Sequence, residues 1–216
     1  VVVDGESTDG TKELLPLILG PQDKLLSEPD KGAYDALNKG LLLASGEVIG
    51  LLHSDDYYED QNVLSRVMEI FETQNVDLVY GDASFFNKGE QAKTVRKYRS
   101  TVLSKRNLAW GKMPAHPSMF FRKEIYAELG GFKLEYKIAA DYEFLCRLMV
   151  ARDIKSVFLR QSLVRMQVGG LSTSGINSYI LINKEVRRAL KENGIYSNYP
   201  MILSKYPQKL FGLLVK

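Results

Sequence analysis

Val48-Ile49-Gly50-Leu51-Leu52-His53-Ser54-Asp55-Asp56 is an apolar run that stops at an acidic turn. A run this short and unbroken predicts a central strand covered on both faces. On its N-terminal side, Ala33, Leu37, Gly40, Leu41 and Ala44 share one stripe at helical spacing, and Gly46 stands where a helix stop belongs. On its C-terminal side, Asn62 opens a helix over 62–73, with Val63, Val67, Ile70 and Phe71 inward. A strand at 76–80 follows and ends near Asp82. The chain begins in the same rhythm: Val1-Val2-Val3, a polar turn through Thr11, a short helix over 12–18 containing Pro16, and a strand at 25–27. Strands alternating with helices through short loops predict an α/β fold with a mostly parallel central sheet flanked by helices.

After Asp82 the pattern changes. Residues 83–98 read as a basic hairpin turning at Asn87-Lys88-Gly89, and 100–117 as irregular loop. A strand at 118–122 leads to a helix over 123–129, ended by Gly130-Gly131. A longer helix is expected at 140–151, strands at 154–159 and 163–167, and a helix over 178–192 stopped by Gly194.

Composition narrows the classes. In 216 residues, hydrophobics make up 45% and charged residues 25%, which excludes disorder and fibrous repeats. The single cysteine, Cys146, excludes an internal disulfide framework and a multi-cysteine zinc site, and is expected to be buried as an apolar residue. No apolar run approaches the roughly 20 residues that span a bilayer. The net charge of +3 conceals a gradient. Residues 1–82 carry 17 acids against 5 bases, while residues 83–112 carry 8 bases against 1 acid. The last 24 residues hold Lys205, Lys209 and Lys216 and no acid.

Several predicted strands end in acids: Asp4, the Asp55-Asp56 pair, and Asp82. In an open parallel sheet, ligands bind beyond the carboxyl ends of the strands. Carboxylates gathered there repel one another unless a divalent cation with oxygen preference joins them. The competing reading is that each acid caps the helix or turn that follows it.

Asp4-Gly5-Glu6-Ser7-Thr8-Asp9-Gly10-Thr11 resembles the signature of family 2 glycosyltransferases, inverting enzymes of the A-type fold that use nucleotide-sugar donors. Four further stretches agree in order: 28–40, from Glu28-Pro29-Asp30-Lys31-Gly32 to Asn38-Lys39-Gly40; His53-Ser54-Asp55-Asp56; Gly130-Gly131-Phe132; and Ala140-Asp141-Tyr142-Glu143. The resemblance covers about residues 1–172, and the chain starts at what resembles the family's second strand.

The resemblance implies a set of roles. Asp4 would meet the nucleotide base, and Lys31, Asp35 and Asn38 would border the ribose and diphosphate. Asp55 keeps the second acid of the family's Asp-x-Asp and would hold Mg²⁺ or Mn²⁺, whereas His53 replaces the first. His53 would contact sugar or ribose, or would be an ordinary strand-end histidine. Ser54, Asp56 and His116 would lie near the donor, and Asp141 would be the general base. Gly169-Gly170-Leu171-Ser172 would be the loop closing over the diphosphate.

The implied function is transfer of a sugar, from UDP by preference, to a glycan or lipid-linked hydroxyl in cell-surface polysaccharide or glycolipid synthesis. Residues 1–176 would be the catalytic domain, with 1–82 the nucleotide part and 83–176 the acceptor part, and 177–216 a C-terminal helical extension. The basic stretch 83–112 carries no nucleic-acid motif and suits an anionic acceptor. The apolar, basic tail suits either packing against the domain or, in a cytoplasmic protein, contact with the inner face of a membrane. A non-catalytic nucleotide-sugar or glycan-binding module and a sugar-phosphate nucleotidyltransferase are the competing readings.

Overall fold

A computed structural model describes residues 1–169 and 175–206. Strand β1 (Val2–Asp4) crosses through helix α1 (Thr11–Ile18) to a parallel neighbour, β2 (Leu25–Ser27), with Val2 opposite Leu25 and Asp4 opposite Ser27. Helix α2 (Ala33–Leu43) follows and lies against β1, the Val3 side chain meeting Gly40. These strands form a two-stranded sheet of their own.

The second sheet has six strands: β3 (Val48–Gly50), β4 (Tyr57–Tyr58), β5 (Leu78–Phe86), β6 (Arg96–Tyr98), β7 (Met119–Arg122) and β8 (Ser156–Gln167). Its order is β3-β7-β5-β8-β4, with β6 added beside β5. The α/β class with flanking helices holds, but the sheet is mixed where a mostly parallel one was expected. Among the described residues of this sheet, only β5 and β8 pair in parallel. Parallel neighbours need a crossover that returns the chain to the same end of the sheet. Here β7 inserts between β3 and β5 and runs antiparallel to both.

Asp82 is likewise no strand end. Strand β5 continues through it to Phe86, with a bulge at Gly81–Asp82 where β7 gives way to β6 along the same edge. The Asp82 carboxylate accepts from the Ser100 N–H at 2.7 Å. The hairpin at 83–98 forms as expected, β5 pairing with β6. The segment read as irregular contains helix α4 (Lys105–Ala109), capped by the Ser104 hydroxyl on the Asn107 N–H. The two strands expected at 154–167 are the single strand β8.

Both faces of the large sheet are covered. Helix α3 (Val63–Thr73) sets Val63, Val67 and Phe71 against Val79, Phe120, Leu163 and Val164. On the other face, α5 (Lys123–Leu129) and α6 (Ala140–Ala151) bury Phe121, Tyr126, Phe132 and Phe144 as one aromatic cluster. Each such side chain removed from water contributes about 1.5–3 kcal/mol. Cys146 is fully buried in this layer. Helices α7 (Ile176–Glu192) and α8 (Tyr199–Leu203) place Val186, Ala189, Leu190 and Ile202 in the same cluster, so the described part of the expected extension belongs to the main core. Among the described residues, no helix is long and apolar enough to cross a membrane.

Candidate functional site

The acidic turn after β3 is closed by the Asp56 N–H on the His53 carbonyl at 3.1 Å. Asp56 is half-buried and accepts from the Gln167 N–H at 3.1 Å, which ties the turn to the end of β8. Burial, with the Asp55 charge adding, pushes its carboxyl up to about 6, against the Gln167 bond. Ser54 and Asp55 are exposed. The Asp55 carboxylate has no partner side chain among the described residues, so its oxygens are free for a hard cation.

The gathering of acids expected at the strand ends does not occur. Among the described residues, no three His, Cys, Asp or Glu side chains cluster as a metal cage. A cation at Asp55 would take its remaining ligands from water and a bound diphosphate, which is how Mg²⁺ is commonly held.

The first polar loop is held by its own carboxylates. Asp4, at the end of β1, accepts from the Ser7 N–H at 3.1 Å and from the Ser27 hydroxyl at 2.7 Å. The Ser7 hydroxyl completes the set. The Ser7 and Ser27 hydroxyls hold the Asp4 carboxyl below its ordinary range. A base contact by Asp4 would therefore come from an acid already fixed in orientation by its neighbours.

Asp30 accepts from the Gly32 N–H at 2.7 Å and lies against Gly5, where an added Cβ would stand 2.3 Å from Asp30 Oδ2. Any larger residue there would have to displace the Asp30 carboxylate from its bond to Gly32. Asp35 accepts from the Lys31 N–H at 3.0 Å and pairs with Lys39, whose ammonium also reaches Glu28 at 2.9 Å and the Pro29 carbonyl at 2.7 Å. The exposed Lys31 ammonium carries no ion pair among the described residues. Asn38 braces the fold: its amide donates to the Phe132 carbonyl at 2.8 Å and accepts from the Phe132 N–H at 2.7 Å.

Asp141 lies in the first turn of α6, where the helix dipole favours the carboxylate. Its Oδ1 accepts from the Tyr142 N–H at 2.8 Å and from the Tyr34 hydroxyl at 3.1 Å. Burial raises its proton affinity, opposed by those two bonds and by a positive charge at His53. His53, the departure from the Asp-x-Asp pattern, thus lies within electrostatic reach of the predicted base.

His116 is buried edge-on to Phe132 at 5.5 Å, in a 3₁₀ turn (His116–Ser118). Burial, with the His53 charge adding, pushes it down to about 3, so it is neutral at working pH. Its Nε2 is buried without a hydrogen-bond partner among the described residues. Tyr98 closes this side, donating to the Met113 carbonyl at 2.8 Å, with burial and the nearby Asp141 charge pushing its phenol up to about 12. Glu143 turns away, pairing with Arg147 at 3.0 Å and Lys133 at 2.9 Å.

The structure thus sets His53 within electrostatic reach of both Asp141 and His116, with Tyr34 bonded to Asp141 and Tyr98 near it. Asp4 and Lys31 belong to the separate loop system of β1 and β2. Two residues were missed in the sequence: Tyr34, and Glu185 of α7, which accepts from the N–H groups of Lys137, Ile138 and Ala139 at 2.8–2.9 Å. Tyr34 shares the Asn38 face of α2, four residues apart, and that spacing was the available signal for it. Residues 170–172 of the expected diphosphate loop and 207–216 of the tail lie outside the described residues.

The family model described as glycosyl transferase family 2 matches residues 1–130. The PGL/p-HBAD biosynthesis glycosyltransferase of Mycobacterium bovis (strain BCG / Pasteur 1173P2) is 30% identical over 190 residues, covering 84% of this chain and 70% of its own length. Staphylococcus aureus TarS 1-349, solved with UDP-GlcNAc, superposes with a TM-score of 0.65 at 16% identity, covering 88% of this chain. This chain spans 56% of that structure. Mannosyltransferase PcManGT from Pyrobaculum calidifontis, solved with GDP-Man and Mn2+, gives a TM-score of 0.55 at 15% identity, covering 98% of this chain and 70% of its own. The two structural likenesses establish the fold.

Proposed function

The chain belongs to glycosyl transferase family 2, and from that premise we propose that it moves a sugar from a nucleotide-diphosphate donor, UDP-linked by preference, to an acceptor hydroxyl with inversion. The observation that carries this reading is a half-buried acid, Asp141, within electrostatic reach of His53 in the open His53–Asp55 turn. Asp141 takes the acceptor proton. The freed oxygen attacks the anomeric carbon from the face opposite the departing diphosphate, and the bond from that carbon to the donor phosphate breaks as the new one forms. Burial raises the proton affinity of Asp141, the direction that strengthens a carboxylate as a base. Mg²⁺ or Mn²⁺ bound at Asp55 would supply positive charge against the leaving diphosphate.

Donor recognition is assigned to Asp4, Lys31 and Asp35 on the loops after β1 and β2, and to Ser54, Asp56 and His116. Asn38 supports that side by holding Phe132. Residues 1–82 form the donor part and 83–176 the acceptor part, and the acceptor is a glycan or lipid-linked hydroxyl. That acceptor class draws on the Mycobacterium bovis relative named for PGL/p-HBAD biosynthesis and on the acid-free stretch from Gln91 to Lys123. Exposed Trp110, Tyr196 and Tyr199 suit work at the inner face of a membrane.

Calorimetry of UDP binding with and without Mn²⁺ tests the donor and metal assignments together. Mn²⁺ should tighten UDP binding to the wild type, and Asp55→Ala should remove most of that gain. A protein that binds no nucleoside diphosphate under either condition contradicts the reading. Transfer is then followed as UDP release from a panel of UDP-hexoses.

A further inference from the structure

Asp141 sits at the end of a five-residue segment, 137–141, that is held from two sides. From α7, Glu185 accepts the N–H groups of Lys137, Ile138 and Ala139 at 2.8, 2.9 and 2.9 Å. Those amides belong to the residues that lead into α6 and to its N-cap, Ala139, which has no side-chain cap of its own. From α2, the Tyr34 hydroxyl shares its one proton between two acceptors, the Ile138 carbonyl at 2.6 Å and Asp141 Oδ1 at 3.1 Å. The Tyr34 ring packs on Phe132 at 5.6 Å, the residue that Asn38 clamps one helical turn along.

Both bonds to the Asp141 carboxylate, from Tyr34 and from the Tyr142 N–H, fall on Oδ1. No partner side chain among the described residues reaches Oδ2. We propose that Tyr34 is a positioning residue for Asp141, fixing Oδ1 so that Oδ2 is the oxygen presented to the acceptor hydroxyl, while Glu185 holds the backbone on which that carboxylate is mounted. The inference rests on the reading of Asp141 as general base. It also gives α2 two tasks, since the helix that begins beside Lys31 carries the hydroxyl that orients the base.

The groups facing Asp141 are Tyr34 from α2, His53 from the turn after β3, and Tyr98 from β6. On its own helix Glu143 is neutralised by Arg147 and Lys133. A hydrogen bond to a carboxylate favours its charged form. Tyr34→Phe removes that bond and keeps the ring, so the acid limb of the kcat profile should move to higher pH. It should also lower kcat about tenfold, with the donor KM held within about twofold, because orientation of the base matters after the donor is bound.

The experiment compares kcat, donor KM and the pH profile of UDP release for wild type, Tyr34→Phe, Glu185→Gln and Asp141→Asn in the full chain. The expected result is an inactive Asp141→Asn, a Tyr34→Phe shifted as described, and a Glu185→Gln that loses kcat at unchanged donor KM. An inactive Asp141→Asn beside a Tyr34→Phe with wild-type kcat and acid limb overturns the positioning role and leaves the base standing. Wild-type turnover by Asp141→Asn overturns the base reading and the inference with it. Should Tyr34→Phe melt early, Glu185→Gln decides, because it disturbs the same segment from the other side. Wild-type kcat in Glu185→Gln then counts against the inference.

Discussion

Helices α1 and α2 contain no buried residue, whereas α6 buries seven of its twelve. Around the first two helices, Leu17 is 80% exposed and Leu42 86%. The loops there take their shape from short polar bonds: Ser7 to Asp4, Gly32 to Asp30, Lys31 to Asp35. Around α6 the shape comes from stacked rings and from bonds between residues far apart in the chain. The contrast separates two jobs. On the proposed reading, the donor-side loops are held by short-range polar bonds, exposed at Asp30 and Asp35 and part-buried at Asp4, and the exposed ones open at low cost. On the same reading a base must be held still, and the close-packed layer around α6 would do that.

The comparison breaks first in the core. Phe144 is fully buried against Phe121, Tyr126 and Phe132. Phe144→Ala should cost about 3–5 kcal/mol in denaturant unfolding. A loss below about 1 kcal/mol would mean that the aromatic layer is not what holds α6.

The second effect depends on pH. The fold keeps His116 neutral, with its proton affinity down at about 3, while the unfolded chain takes up that proton below about 6.5. The unfolded state therefore binds more protons across that window, so His116 adds stability above pH 6.5 that is lost as the pH falls toward 3. Between pH 7 and pH 5, wild type should lose about 2 kcal/mol more than His116→Gln. Equal losses in the two proteins would show that His116 is not kept neutral. The smallest effect belongs to the donor side: Leu42→Ala should change stability by less than about 0.5 kcal/mol. A larger loss would show that α2 is packed more tightly than its exposure indicates.

The same contrast explains what could be read from the chain. Helix α3 falls where its periodicity places it and α5 ends at its glycine stop, because those signals lie within the element. Asp4 stands at a strand end and Asp141 in the first turn of a helix, as their motifs indicate, while Asp55 lies in the turn beyond β3. The mixed sheet was not legible, because the direction of β7 depends on the path of the loop before it, which carries no periodic signal. Asp82 was misread because a strand and its bulge look alike in sequence until the partner strands are known. The contacts of Asn38 with Phe132 and Tyr34 with Asp141 span 94 and 107 residues. Local pattern cannot report partners that far away.

The account stands or falls on whether Asp141 moves the acceptor proton. The direct measurement is the rate of UDP release by Asp141→Asn with a UDP-hexose and Mn²⁺, alongside calorimetry of UDP on the same protein. The amide keeps the size of the side chain and cannot take a proton. Transfer should fall by about a thousandfold, within the range a positioned base supplies, while UDP affinity stays within about twofold of wild type. Transfer at the wild-type rate, with UDP still bound, would contradict the assignment.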